Sequence, residues 1–193
     1  MRSLGEEREP GERPPAPGSL RLVQQYLNTY NHEFPPQADR LGTAGKASRW
    51  LASHGLIAPS ARISESDRKR LVRAREALLA VVRANERSPM SDEDLRALNE
   101  TGRACLSIRF GPDGTPRLGP ASRDADGAMG SVLAACYASW LSGTMPRLKA
   151  CVQCSWIFYD GSKNRSGAWC SMRLCGNRMK NRAYRRRRTA EPD

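Results

Sequence analysis

The sequence predicts a mainly α-helical protein with a small β-hairpin: a helical N-terminal domain followed by a C-terminal, treble-clef-like module built on four cysteines. Three observations carry that prediction. Apolar residues recur at helical spacing in successive segments between residues 19 and 142. A partly alternating run at 105–110 meets a Gly-Pro-Asp-Gly turn and a short return segment, the pattern of a hairpin. Four of the six cysteines then crowd into residues 151–175 as C-x2-C-x15-C-x4-C, with a run of arginines behind them.

Taken in order, residues 1–18 are rich in Pro, Gly, Glu and Arg and almost free of large apolar side chains, so a disordered tail is expected. Behind Ser19 as N-cap, Leu20, Val23, Tyr26 or Leu27, and Tyr30 fall on one helical stripe. Pro35-Pro36 ends that helix, and a loop leads to Thr43. Residues 44–54 form a short helix with Trp50 and Leu51 inward, stopping at Gly55. Ser64 with Asp67 three residues on is a capping pair for the longest helix, which carries Leu71, Val72, Ala74, Leu78, Leu79 and Val82 toward Asn85. Ser91 with Asp94 opens another, bearing Leu95 and Leu98 and ending near Gly102. Strands are expected at Cys105–Phe110 and Pro116–Leu118, the proline restricting the second to an edge. Residues 124–142 form an alanine-rich helix with Met129, Val132, Leu133, Cys136, Tyr137, Trp140 and Leu141, predicted to be buried over most of its surface. After Gly143-Thr144-Met145-Pro146, Arg147, Leu148 and Lys149 lead directly into Cys151 and leave little room for a flexible linker. The helical unit 19–145 and the cysteine module 146–188 are therefore expected to pack together, with 189–193 as a tail.

The spacing of Cys151, Cys154, Cys170 and Cys175 is that of a metal site. A C-x2-C turn converges two thiolates on one ion, and a second close pair completes a tetrahedral S4 shell. With all four positions taken, one structural zinc ion is expected rather than a catalytic one. The alternative, disulfides, needs an oxidising compartment. The opening MRSLGEEREPGERPPAPGSL lacks the apolar stretch of a secretory signal, so a cytoplasmic location is expected. Trp156 and Phe158 alternate with Ile157 and Tyr159 as on a short strand, one face covering the metal and the other meeting the helical domain. With so little core of its own, the module should draw much of its folding free energy from the metal, and its loss should leave residues 19–142 folded.

Cys175-Gly176-Asn177-Arg178 spells CGNR. Together with Cys151-x2-Cys154-x-Trp156-x-Phe158-x-Asp160, Ser162-Lys163-Asn164, Trp169-Cys170-Ser171-Met172 and Lys180, it resembles the CGNR zinc-finger family of bacterial proteins over nearly all of residues 147–188. Ala168 departs from the pattern, since family members often carry a basic residue before the Trp-Cys pair. In that family the finger commonly follows a helical domain called ABATE, described as a stress-induced transcription regulator. Leu27-Asn28-Thr29 is similar to a signature near the start of that domain. The resemblance implies a DNA-binding transcriptional regulator. Read on their own, Asn28 and Thr29 mark a buried helix end whose side chains bond to backbone, and Asn177 is expected to brace the metal turn from behind, with Trp156, Phe158 and Trp169 packed around it.

Charge agrees in kind. Residues 143–193 hold twelve Lys/Arg against three Asp/Glu, contributing +9 of the chain's net +12. Because the metal fixes the start of the C-terminal helix, its cations point in a set direction. Arg178, Lys180, Arg182, Arg185, Arg186, Arg187 and Arg188 are expected at phosphates or base edges, with Lys163, Asn164 and Arg165 as a second contact from the loop. DNA is the favoured partner, which would place the protein on the nucleoid. RNA fits the same charges, and a protein-interaction module with a basic tail is the rival of another class. A membrane surface is disfavoured because the arm has no wide apolar face, and no apolar run approaches the roughly eighteen residues of a bilayer span. The helical domain leaves room for a small-molecule effector, which the sequence does not identify.

Nothing in the sequence asks for catalysis. There is no P-loop, GxGxxG, HExxH or nucleophile elbow. His32 and His54 sit near helix ends without a nucleophile close in sequence. Cys105 and Cys136 lie in apolar contexts as core residues, and the pairs Asp92/Asp94 and Asp124/Asp126 sit at helix starts, where the macrodipole accounts for them.

Overall fold

The computed structural model describes residues 13–30, 39–85 and 89–190, and for Ala183, Tyr184 and residues 186–190 it describes the backbone alone. His32, Pro35-Pro36, most of the expected N-terminal tail and residues 191–193 lie outside the described residues.

The chain is mainly helical, with two small antiparallel hairpins. Helix α1 (Leu20–Leu27) buries Leu20, Val23, Tyr26 and Leu27, the stripe expected from spacing, though Ser19 is itself helical and makes no side-chain cap. Helix α2 (Ala44–Ser53) starts where the Thr43 hydroxyl accepts from the Lys46 amide and turns Trp50 and Leu51 inward. Helix α3 (Glu65–Ala84) opens on a complete capping box, Ser64 accepting from the Asp67 amide while the Asp67 carboxylate takes the Ser64 amide. Helix α4 (Asp92–Cys105) runs past the expected stop at Gly102 straight into β1 (Leu106–Phe110), which pairs with β2 (Pro116–Pro120) in register Ile108↔Leu118. A two-stranded ribbon has only edges, so Pro116 is tolerated opposite Phe110.

Helix α5 (Ala125–Leu141) lies against this ribbon. A Cβ at Gly130 would stand 2.1 Å from the Cys105 carbonyl oxygen and 2.9 Å from the Pro120 Cα, so the helix can approach only where its side chain is missing. Its second half corrects the expectation of burial on most sides: Tyr137, Trp140 and Leu141 are 52%, 46% and 74% exposed. Among the histidines, His54 stacks on Trp50 at 4.0 Å and its Nδ1 bonds the Trp50 carbonyl at 2.8 Å, a structural use. Cys105 and Cys136 are buried, and burial pushes each thiol up to about 11.

Beyond a 3-10 turn at Met145–Arg147, strand β3 (Leu148–Ala150) pairs with β4 (Ile157–Tyr159), a second hairpin for which the sequence had offered only the latter strand. Met145, Leu148 and Ile157 belong to the helical core, with Ala150 and Tyr159 packed against it, whereas Phe158 joins the cysteines. Asn28, at the end of α1, fixes this register. Its side-chain amide donates to the Ile157 carbonyl at 2.8 Å, and its side-chain oxygen accepts from the Ile157 amide at 2.9 Å. Gln24 adds a bond to the same carbonyl at 3.3 Å. Asn28 thus pairs with β4 as a neighbouring strand would.

The N-terminal expectation also changes in part. Residues 13–18 are not a free tail: Ala16 is buried and its amide donates to Gln24 Oε1 at 2.8 Å, while Arg13 reaches the cysteine module.

Replacing Asn28 with Ala leaves the buried Ile157 amide without a partner, and a loss of about 1–3 kcal/mol is expected. Urea unfolding of the zinc-loaded chain measures it; a change below the error of the fit would show that the pairing contributes nothing net.

Candidate metal centre and nucleic-acid interface

The cysteine site is assembled from three local structures. Cys151 and Cys154 flank the turn joining β3 to β4, where the Cys151 amide donates to the Trp156 carbonyl at 2.9 Å and the Ser155 amide to the Cys151 carbonyl at 2.8 Å. Closing this knuckle puts Ser155 at φ +59, in the left-handed region. Cys170 ends the loop from β4. Cys175 lies in a one-turn π-helix, Met172–Gly176, that leads into helix α6 (Asn177–Ala190), so the fourth ligand precedes the α-helix rather than opening it. Ser171 organises that turn: its hydroxyl accepts from the Leu174 amide at 3.2 Å and its carbonyl from the amides of Cys175 and Gly176, both at 3.0 Å.

All four sulfurs are buried and lie within 4.8 Å of one another, with Cys154 to Cys170 at 3.6 Å and Cys170 to Cys175 at 3.7 Å. Tetrahedral coordination at a Zn–S bond of about 2.3 Å separates sulfurs by about 3.8 Å, whereas a disulfide would require about 2 Å. All six cysteines are free. The donor set and its spacing therefore fit one zinc ion held by Cys151, Cys154, Cys170 and Cys175, with no position left for substrate. As thiols the four compete for protons: the Cys151 and Cys154 sulfurs beside Cys170 push its thiol well up, and burial raises Cys175. A divalent cation at the centre reverses that preference and makes thiolates the stable form.

Around the metal, Phe158 is buried against the sulfurs and Trp156, Trp169 and Leu174 pack half-buried over them. Behind Phe158 stands a buried carboxylate. Asp160 accepts from the Ser162 amide (3.1 Å) and hydroxyl (2.7 Å) and from the Gly167 amide (2.7 Å), and pairs with Lys149 (3.2 Å) and Arg13 (3.3 Å). Burial by itself would raise this carboxyl. The bonds from Ser162, Gly167 and Lys149 more than offset it and hold Asp160 well below the usual carboxylate range. The Arg13 guanidinium lies 4.5 Å from the Phe158 ring centre, and its Nε donates to the Trp169 carbonyl at 2.9 Å. A Cβ at Gly167 would meet that guanidinium at 2.7 Å, which is why the loop passes here as glycine. Arg147 clamps the same loop through the carbonyls of Asp160 (3.1 Å) and Ser162 (3.0 Å).

The expected nucleic-acid contacts divide into two groups. Arg178, Lys180, Arg182 and Arg185 are exposed on α6, and Lys163, Asn164 and Arg165 are exposed on the loop, Arg165 at φ +49. Arg178, Arg182 and Arg185 share a helical face through their i, i+4, i+7 spacing, while Lys180 falls on the opposite side. Arg186, Arg187 and Arg188 continue the helix; their side chains lie outside the description. Asn177 is a correction: its side chain is exposed and, among the described residues, makes no hydrogen bond to the cysteine turn, whose amides Ser171 satisfies, and only its backbone N–H reaches back, to the Met172 carbonyl. Sequence reasoning missed Arg13, Ser171, Arg147 and Lys149. The first sits in a segment of disordered composition, Ser171 stood in the family string without a role of its own, and Arg147 and Lys149 carry no motif.

The fold and site define a class: a helical domain continuous with a four-cysteine zinc finger that runs on into a basic helix. Residues 20–144 match the ABATE family, described as "putative stress-induced transcription regulator", and residues 147–188 match the CGNR zinc finger. The chain belongs to the ABATE family and carries a CGNR zinc finger after that domain, which makes it a zinc-binding regulatory protein. No curated protein matches the sequence. Among the described residues, no helix is long and apolar enough to cross a membrane.

One zinc per chain is expected by elemental analysis, dropping to substoichiometric in Cys170→Ser or Cys175→Ser; full retention in both would refute the ligand set. Since the ligands must shed protons, acidification should release the metal. The depressed Asp160 pKa contributes stability that is fully present above the unfolded carboxyl value of about 4 and is lost as pH falls through the lower folded value. The melting-temperature gap between the wild type and Asp160→Asn should therefore be widest near neutrality and shrink in acid. A gap that grows with acidification would contradict this.

Proposed function

We propose that the protein is a zinc-dependent, DNA-binding transcriptional regulator that acts by binding and not by catalysis, on the bacterial nucleoid. The observation that carries this reading is the junction at Cys175-Gly176-Asn177: the metal turn ends where α6 begins, so the ion would aim a helix on which Arg178, Arg182 and Arg185 are exposed. At 14 residues, α6 is about 21 Å long. The B-DNA major groove admits such a helix, whereas the deep, narrow major groove of duplex RNA does not. The face of Arg178, Arg182 and Arg185 lies toward phosphates or base edges, and the loop cations Lys163 and Arg165 extend contact to the flanking backbone. Zinc supplies rigidity, not chemistry.

In vitro selection with the zinc-loaded chain against random duplex DNA and random RNA in parallel tests this at near-physiological salt. Enrichment of one duplex motif bound about a thousandfold over bulk DNA supports a sequence-specific regulator. Enrichment of RNA hairpins, or of neither pool, overturns the DNA reading and points respectively to RNA or to a protein partner. In a binding assay, Arg182→Ala/Arg185→Ala should weaken affinity and lower the slope of log affinity against log salt by about two. Truncation after Met179 should abolish most of that slope.

A further inference from the structure

A cavity of about 210 Å³ opens between α3, α4 and α5, well apart in sequence from the finger. Its floor is apolar, from Leu71, Ala104, Cys105 and Met129, and its rim is charged. Asp67, Asp126 and Glu100 face Arg70 and Arg73 there, three carboxylates against two guanidinium groups. Arg70 is committed to two of those carboxylates, at 2.6 Å to Asp67 and 3.0 Å to Asp126. Arg73 reaches only 4.0 Å from Glu100, the loosest pair of the rim. The balance leaves one negative charge at the mouth of an apolar hole.

From these features we propose that the cavity is a binding site for a small monocationic amine with a compact apolar body, its ammonium group at Asp126 and its body over Met129 and Ala104. An anionic ligand would meet the surplus carboxylate, and a neutral apolar one would leave the rim unused. The size is that of a single aromatic ring with a short chain. Cys105 contributes surface, not chemistry, since burial keeps its thiol protonated.

The wall of this cavity is tied to the finger. The Tyr26 hydroxyl, on α1 behind the floor, donates to the Leu71 carbonyl at 2.5 Å and lies 3.4 Å from the Met129 sulfur. Two residues further on, Asn28 holds Ile157 of β4 by both backbone groups. A ligand that shifts Leu71 or Met129 therefore acts on the helix that sets the register of the metal-bearing hairpin. This inference does not depend on what the basic helix binds.

The test is NMR on the zinc-loaded full chain, following the Met129 methyl and Ile157 amide signals, with phenethylamine as probe and 3-phenylpropanoate as its anionic counterpart. Saturable phenethylamine shifts at Met129 with Kd below about 1 mM are expected, with the carboxylate at least about tenfold weaker. Asp126→Asn should cost a similar factor, and Ala104→Leu, which fills the hole, should abolish binding. Equal binding of the two probes, no saturation, or unchanged affinity in Asp126→Asn overturns the site; the last keeps the test valid if Ala104→Leu fails to fold. Ile157 should shift at the same concentrations as Met129. Binding at Met129 with a silent Ile157 would overturn the link to the finger.

Discussion

Strand β4 is three residues long, and the arrangement of the molecule depends on its alternation. Ile157 and Tyr159 face the helical core while Phe158 faces the sulfurs, so one short strand is shared by two cores that neither could complete alone. A strand that short is weakly specified by its own pairing, since a slip of one residue would send Phe158 into the helices and Ile157 to the metal. Asn28 prevents the slip. Its amide matches the donor and acceptor of one residue, Ile157, and is buried where water cannot substitute. An apolar residue at that position would fill space but leave a buried peptide group without partners.

The second constraint is electrostatic. The finger carries most of the protein's excess positive charge, yet its centre encloses a carboxylate, Asp160, with Lys149 and Arg13 closed over it. The buried anion gathers cations and amides from β3, the loop and the N-terminal segment at a single point. Arg178, Lys180 and Arg182 of α6 and Lys163 and Arg165 of the loop are exposed outside this cluster. Arg13 joins a segment remote in sequence to this point and stacks on the aromatic ring that lies against the sulfurs. The metal shell is thus supported on one side by the helical core and on another by the start of the described chain.

Much of this was legible in the sequence because the relevant signals are local. Helix caps such as Ser64/Asp67 and the cysteine spacing are fixed by near neighbours, and apolar periodicity placed α1, α3 and α5 within a few residues. What escaped depends on contacts distant in sequence. Asn28 read as a helix end bonding to backbone, which it is, but nothing local says that the backbone belongs to β4. Arg13 lies in a composition that ordinarily stays unfolded, and only the pocket formed by Phe158, Trp169 and Gly167 gives it a place. Asn177 was misread for the converse reason: its position in a motif suggested a brace, while Ser171, less conspicuous, had already satisfied the same amides. The exposed end of α5 was missed because periodicity identifies apolar residues without saying whether anything covers them.

The shared strand has a consequence for how the protein registers its surroundings. Because β4 is common to both cores, a metal that binds only the folded finger would by linkage also favour the folded helical domain. A helical unit that stays folded without the ion, as its sequence leads one to expect, would show the coupling to be weak, whereas if the coupling is strong, scarcity of metal would loosen α1 through Ile157 and Asn28. Proteolytic lifetime in the cell would then follow zinc availability, since the population of open chains sets exposure to proteases.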